Sequence, residues 1–253
     1  MQRIEFCGSL TDWGSGVFTR CHRVGRLRVY TDENGKSYLQ DVLDELPETL
    51  VVEYYCPGET KETVAGPAAL QSAKSGHHVS GNTDEAGQSY NKAVLVFPEF
   101  YEEGVENTPA RILETHVHGS GIFYRNCFQG RKFDFAQYDT LFPQAMAWES
   151  SEVLARLVTG RLQHPLGLGQ KARQQYESYA KEHALELGTW MIDGRDLEGV
   201  RWLMGLMADI AGREQLLEQL LEQATRLHYA EAVSYLMDCR RGSRRATRKR
   251  LEL

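Results

Sequence analysis

Apolar and polar positions change rhythm near residue 150. Upstream, short runs alternate with the two-residue period of a strand whose two faces see different surroundings. Residues 26–31 (RLRVYT) and 36–40 (KSYLQ) alternate in this way around Asp32-Glu33-Asn34-Gly35. An Asn-Gly between two such runs predicts a β-hairpin. Residues 50–56 (LVVEYYC) are β-branched and aromatic and stop at Pro57-Gly58, while residues 93–97 (AVLVF) stop at Pro98. Both read as strands. Residues 111–117 and 121–127 predict two more, on either side of a His118-Gly119-Ser120-Gly121 turn. Between residues 57 and 91 large apolar residues give way to Gly, Ser, Thr and Ala. That composition predicts a long loop with one short helix near Ala68 to Ala73, and loops of this length are functional or disordered.

Downstream the period lengthens. Val153, Leu154, Leu157, Val158 and Leu162 recur at helical spacing after Ser150-Ser151, which predicts a helix over 151–162. Residues 164–169 (HPLGLG) break it, and a second helix is expected from about 170 to about 187. The expected fold class is therefore α+β. A β-rich domain spans 1–150 with its long loop at 57–91, and an all-helical module of helix pairs spans 151–239. A basic tail covers 240–253, and the change from strands to helices falls between about 145 and 165.

The helical part repeats itself. Leu197-Glu198-Gly199-Val200-Arg201-Trp202-Leu203-Met204 matches Ala230-Glu231-Ala232-Val233-Ser234-Tyr235-Leu236-Met237 at an offset of 33 residues. Val200, Leu203 and Met204 share one helical face, as do Val233, Leu236 and Met237, and neither pair of helices can bury such a face alone. This period and pattern resemble the second helix of an ankyrin repeat over about residues 176–239. The resemblance implies that residues 179–191 and 215–227 are first helices, with turns at Asp193-Gly194-Arg195 and His228-Tyr229. It also implies protein binding rather than catalysis. The family's Thr-Pro-Leu-His signature is absent, and the second unit has no room for the β-hairpin finger. Two units fall short of the usual minimum of three, so the helix at 151–162 or the N-terminal domain is expected to cover the open end.

Charge sharpens this picture. The chain of 253 residues is 42% hydrophobic, enough for a core, and its net charge is −6. Seven cations, Arg240, Arg241, Arg244, Arg245, Arg248, Lys249 and Arg250, crowd into residues 240–250. Outside the tail 22 basic and 34 acidic side chains remain, a net charge near −12. The tail is expected to be mobile or weakly helical, and it is a candidate for binding nucleic acid or an acidic partner. Neither a run of about 18 apolar residues nor an apolar leader is present, so the expected location is the cytoplasm, with no membrane contact. The five cysteines form no Cys-x-x-Cys pair, which predicts free, mostly buried thiols rather than a zinc knuckle or a disulfide scaffold.

Glu114-Thr115-His116-Val117-His118 carries the best chemical pattern. On a strand, His116 and His118 share a face and become candidate ligands for a divalent metal, with His77-His78 and Glu114 as candidate helpers. Solvent-facing strand histidines are the plain alternative, and no other cofactor is implied. Phosphate-loop, dinucleotide and nucleophile-elbow motifs are absent. Tyr124, Arg125, Asn126, Arg131 and Lys132 read either as a nucleic-acid contact or as a solvated strand end. The leading expectation is a non-enzymatic cytoplasmic binding protein, an inhibitor or adaptor acting on a protein partner. A His-x-His metal-dependent hydrolase or nuclease and a tail-driven nucleic-acid or nucleoprotein binder are the alternatives.

Overall fold

The computed structural model of the chain describes residues 2–6, 9–10, 12–58, 82–83, 89–107, 112–208, 210 and 212–251. It is α+β, with the strands in the N-terminal part and a helical C-terminal part. Two compact units divide it: residues 1–149 with 164–168, and residues 150–163 with 169–253.

The first unit holds strands β1 (Gln2–Phe6) and β2 (Val24–Tyr30), helix α1 (Leu39–Glu45), and strands β3 (Leu50–Pro57), β4 (Asn82–Thr83) and β5 (Ser89–Phe97). Their sheet has the order β1-β2-β3-β5-β4. β1, β2 and β3 run parallel, and β5 is antiparallel to both β3 and β4. The parallel step from β2 to β3 crosses over through α1, as parallel strands require. The expected hairpin around Asn34-Gly35 is thereby corrected. The turn exists, with Gly35 at φ 75° and the Asp32 carboxylate accepting from the Asn34 and Lys36 amides. It leads into helix α1 rather than into a returning strand. Leu39, Val42, Leu43 and Leu46 are 0–1% exposed at i, i+3, i+4 and i+7, a helical stripe that the alternation of KSYLQ conceals.

One face of the sheet feeds the core through Leu27, Val29, Val52, Tyr54, Ala93, Leu95 and Phe97. The β8–β9 ribbon (Phe128–Gln129, Lys132–Phe133) and helices α2 (Gly121–Arg125), α3 (Phe135–Thr140) and α4 (Phe142–Trp148) supply the rest. Phe133 lies edge-on to Tyr138 and Phe97, with centroids 5.5 and 6.1 Å apart. β4 pairs only with the start of β5, at Ser89 and Tyr90. Farther along β5, the Tyr138 hydroxyl accepts from the Val96 amide at 2.8 Å and donates to the Val96 carbonyl at 2.7 Å. A side chain thus does there what a neighbouring strand would do.

The strand expected over 121–127 is corrected to a helix over Gly121–Arg125, and Arg125 is the reason the segment matters. Its guanidinium is 2% exposed and donates to the carbonyls of Leu43, Leu46, Glu48, Gly121 and Pro98. It closes the C-terminal turn of α1, whose last carbonyls have no helical partner, and joins it to the end of β5. Burial lowers its pKa to about 10. Tyr124 is fully buried beside it, so these two residues are core rather than a solvated strand end. Gly119 sits at φ 88°, and a Cβ on it or on Gly121 would collide with the backbone of Pro98 and Glu99. The sharp turn there therefore requires glycine at both positions.

The second unit is built from helices α5 (Ser151–Gln163), α6 (Gln170–Glu182), α7 (Ala184–Asp193), α8 (Leu197–Leu206), α9 (Arg213–Arg226) and α10 (Ala230–Leu251). The expected helix from 170 to 187 is two helices, parted at His183, whose ψ of 26° leaves the helical range. Neighbours in the chain pair as α5–α6, α7–α8 and α9–α10, while α7 also packs on α5 and α9, and α8 on α10. The period of 33 extends to the backbone of the turns. Arg195 and His228 both adopt positive φ, 54° and 51°. The amides of Gly194, Arg195 and Asp196 donate to Trp190, Ile192 and Met191, and those of Leu227, His228 and Tyr229 donate to Gln223, Thr225 and Ala224, the same bonds moved by 33. The count of two repeated units is extended by α5–α6, a third helical pair that carries no sequence repeat.

Candidate functional site

The unforeseen strand β6 (Tyr101–Asn107) pairs with β7 (Ile112–His118) in a separate two-stranded sheet. Its base is tied down where the Phe100 amide donates to the Pro47 carbonyl and the Glu99 amide to the Thr49 hydroxyl. Register sets Tyr101 opposite His118 and Glu103 opposite His116. Alternation then puts all four on one face of the arm. The Tyr101 ring stacks on the His118 imidazole, with centroids 4.5 Å apart and planes 13° apart. His118 Nε2 stands 3.3 Å from Glu103 Oε2. That nitrogen is shielded from solvent, yet no hydrogen bond with adequate geometry reaches it. His116 is exposed and has an interaction of its own. Among the described residues no three His, Cys, Asp or Glu side chains already converge as a metal cluster. His77, His78, the short helix near 68–73 and the side chain of Glu114 lie outside the described residues. The sequence pointed to His116 and His118 but not to Glu103 or Tyr101, which belong to a strand too polar to be read as one.

A second surface lies on α2 and α4. Phe123, Met146 and Trp148 are 40, 43 and 55% exposed. The Phe123 and Trp148 rings are 6.0 Å apart, so the two helices present a joint aromatic surface. It is held rigidly, because the amide and hydroxyl of Ser120 both donate to Glu149 Oε1, at 2.8 and 2.5 Å, and Arg125 anchors the end of α2. Trp148 ends a short helix and Phe123 sits in a helix whose sequence reads as a strand, so sequence periodicity carries no signal for either.

Several other ionisable side chains are engaged in structure. On the other face of the sheet Arg28 and Lys92 both bind Glu53, at 3.1 and 3.0 Å, and hold its carboxyl below the usual range against the effect of burial. Burial, reinforced by the nearby Lys92 charge, lowers the His164 pKa to about 4. Arg131 lies 3.9 Å over the Tyr38 ring. Cys127 is buried and burial raises its thiol pKa to about 12, whereas Cys21, Cys56 and Cys239 are half-buried and not in disulfides, and Cys7 lies outside the described residues.

The basic tail is the C-terminal part of α10, whose backbone is helical through Leu251. Arg240 binds Glu218 at 2.6 Å and Arg241 approaches Asp238 at 3.5 Å. The side chains of Arg244, Arg245, Arg248, Lys249 and Arg250 lie outside the described residues. No helix among the described residues is long and apolar enough to cross a membrane. Compared with family models, curated proteins and solved structures, the chain matches none.

Proposed function

We propose that this chain is a non-enzymatic protein-binding protein of the cytoplasm, an adaptor or inhibitor. In this reading its ankyrin-like helical unit serves as a scaffold and the α2–α4 surface as the contact. The observation that carries it is the exposed, adjoining pair of Phe123 and Trp148 on a rigid support. Large aromatic and methionine side chains are the residues on which binding energy concentrates. Each is already about half buried, so covering the rest of one contributes roughly 1 kcal/mol. The fitting partner offers an apolar pocket sized for an aromatic ring. The test is affinity capture from the protein's own cell extract with the native chain and with Trp148→Ser and Phe123→Ser variants. The expected outcome is a partner retained by the native chain and lost by both variants, with far-UV circular dichroism unchanged. Equal capture by all three sinks the proposal.

A second reading is favoured by the helical backbone of α10. Helical phase groups positions 241, 244, 245 and 248 on one side of it, an arrangement suited to phosphates of DNA or RNA. Removing residues 242–253 then abolishes binding of a labelled duplex at low salt, and undiminished binding rejects this reading.

A further inference from the structure

The arm formed by β6 and β7 carries an inference independent of protein binding. We propose that Glu103, His116 and His118 form a binding site for a divalent transition metal, zinc in the first place. Two of the three ligands already stand in place. His118 Nε2 and Glu103 Oε2 are 3.3 Å apart, and the nitrogen is shielded from solvent without a hydrogen bond. Nε2 therefore lacks the hydrogen-bond partner that buried polar atoms normally have, and the exposed Glu103 carboxylate stands beside it. Ligand atoms about 2.0–2.1 Å from a tetrahedral zinc ion stand about 3.3–3.4 Å from each other. The observed separation is therefore that of one edge of such a tetrahedron.

The third ligand is set by register. His116 is paired directly with Glu103 and lies two positions before His118 on the same face of β7. Neighbouring strands are about 4.7–4.9 Å apart, so an imidazole on His116 needs only a rotamer change to reach a point above Glu103. His116 is exposed, which leaves room for that change. The Tyr101 ring stacked on His118 holds the imidazole plane, as second-layer groups do around metal-binding histidines. Two neutral imidazoles and one carboxylate form a nitrogen and oxygen set that suits zinc. Three protein ligands leave the fourth position for water.

The experiment uses the untagged full chain, stripped with a chelator, dialysed, and titrated calorimetrically with Zn²⁺. A parallel titration with Co²⁺ reads coordination from the visible absorption bands. The expected result is one Zn²⁺ per chain and a Co²⁺ spectrum of four-coordinate intensity. Affinity is expected to fall at least about tenfold in each of His116→Ala, His118→Ala and Glu103→Gln. Absence of one-to-one binding, a six-coordinate Co²⁺ spectrum, or native affinity in either histidine variant overturns the proposal. Far-UV circular dichroism of each variant separates loss of ligand from loss of fold.

Discussion

Helices α8 and α10 begin with the same sequence pattern and end in different surroundings. Val200, Leu203 and Met204 of α8 and Met207 just after it are 0–4% exposed. Moved by 33 residues, the row becomes Val233, Leu236, Met237 and Arg240. Only Leu236 is fully buried; Val233 is half-buried, Met237 is 40% exposed, and Arg240 reaches across to Glu218. Along α9 the polar positions Glu214, Glu218 and Glu222 are all exposed. The last pair thus has the polar outer face of a terminal repeat, and an ion pair occupies the place where the pair before it uses a methionine. Equal pattern does not mean equal role, because burial depends on what lies beyond.

The largest contrast is expected from truncating the two methionines. Met204→Ala leaves a hole in packed surroundings and costs about 2–5 kcal/mol, whereas Met237→Ala, already half in water, costs under about 1 kcal/mol. Urea unfolding followed by far-UV circular dichroism measures both. Equal costs would mean that the second methionine is covered in solution.

The two helix starts differ next. Asp196 caps α8 by accepting from the Gly199 amide at 2.9 Å. The matching residue of α10 is Tyr229, whose hydroxyl reaches back to the Arg195 carbonyl at 2.9 Å. Asp196→Ala is expected to cost about 1 kcal/mol through the lost cap. Tyr229→Phe is expected to cost about the same through a lost hydrogen bond that links one pair to the one before it. A thermal melt resolves each, and an unchanged midpoint for Asp196→Ala would show that the cap is dispensable.

Arg240→Met rebuilds the α8 row on α10. A surface ion pair contributes about 0–1 kcal/mol, so the stability change is expected within about 0.5 kcal/mol. The effect to look for is concentration-dependent association through an enlarged apolar strip, measured by light scattering. A strictly monodisperse variant at the native mass would show that Arg240 does not cap the array.

These contrasts explain what the sequence could and could not disclose. The repeat was legible because the same local, periodic apolar pattern recurs at an offset of 33, although only the first copy is wholly buried. Helix α1 was misread because five residues of alternation, 36–40, outweighed a stripe that becomes clear only when Val42, Leu43 and Leu46 are included. Helix α2 was misread because its inward residues include Arg125, whose burial depends on carbonyls as far as 77 to 82 residues away in the chain. Strand β6 was missed because Glu102, Glu103 and Gly104 are poor strand signals and, among the described residues, it pairs with β7 alone. The same gap hid part of the candidate metal site. His116 and His118 announce themselves by spacing, while Glu103 joins them only through the register of a strand that pattern alone does not predict.

The smallest expected effect tests the repeat at its turns. Arg195 and His228 hold φ of 54° and 51°, a left-handed conformation that costs about 1–2 kcal/mol in a residue with a Cβ. Glycine removes that strain but adds about 0.4–1 kcal/mol of freedom to the unfolded chain. His228→Gly should therefore stabilise the protein by about 0.5 kcal/mol. Arg195→Gly gains the same backbone relief, yet it gives up a guanidinium 5.4 Å over the Tyr229 ring and its contact with the Leu227 carbonyl. That contact is worth roughly 0.5 kcal/mol at an exposed site, so its net change should lie near zero. Denaturant midpoints for the two variants carry the comparison. Equal gains would mean that Arg195 contributes nothing to Tyr229. A loss in His228→Gly would mean that its side chain, rather than the shared backbone turn, holds α9 and α10 together.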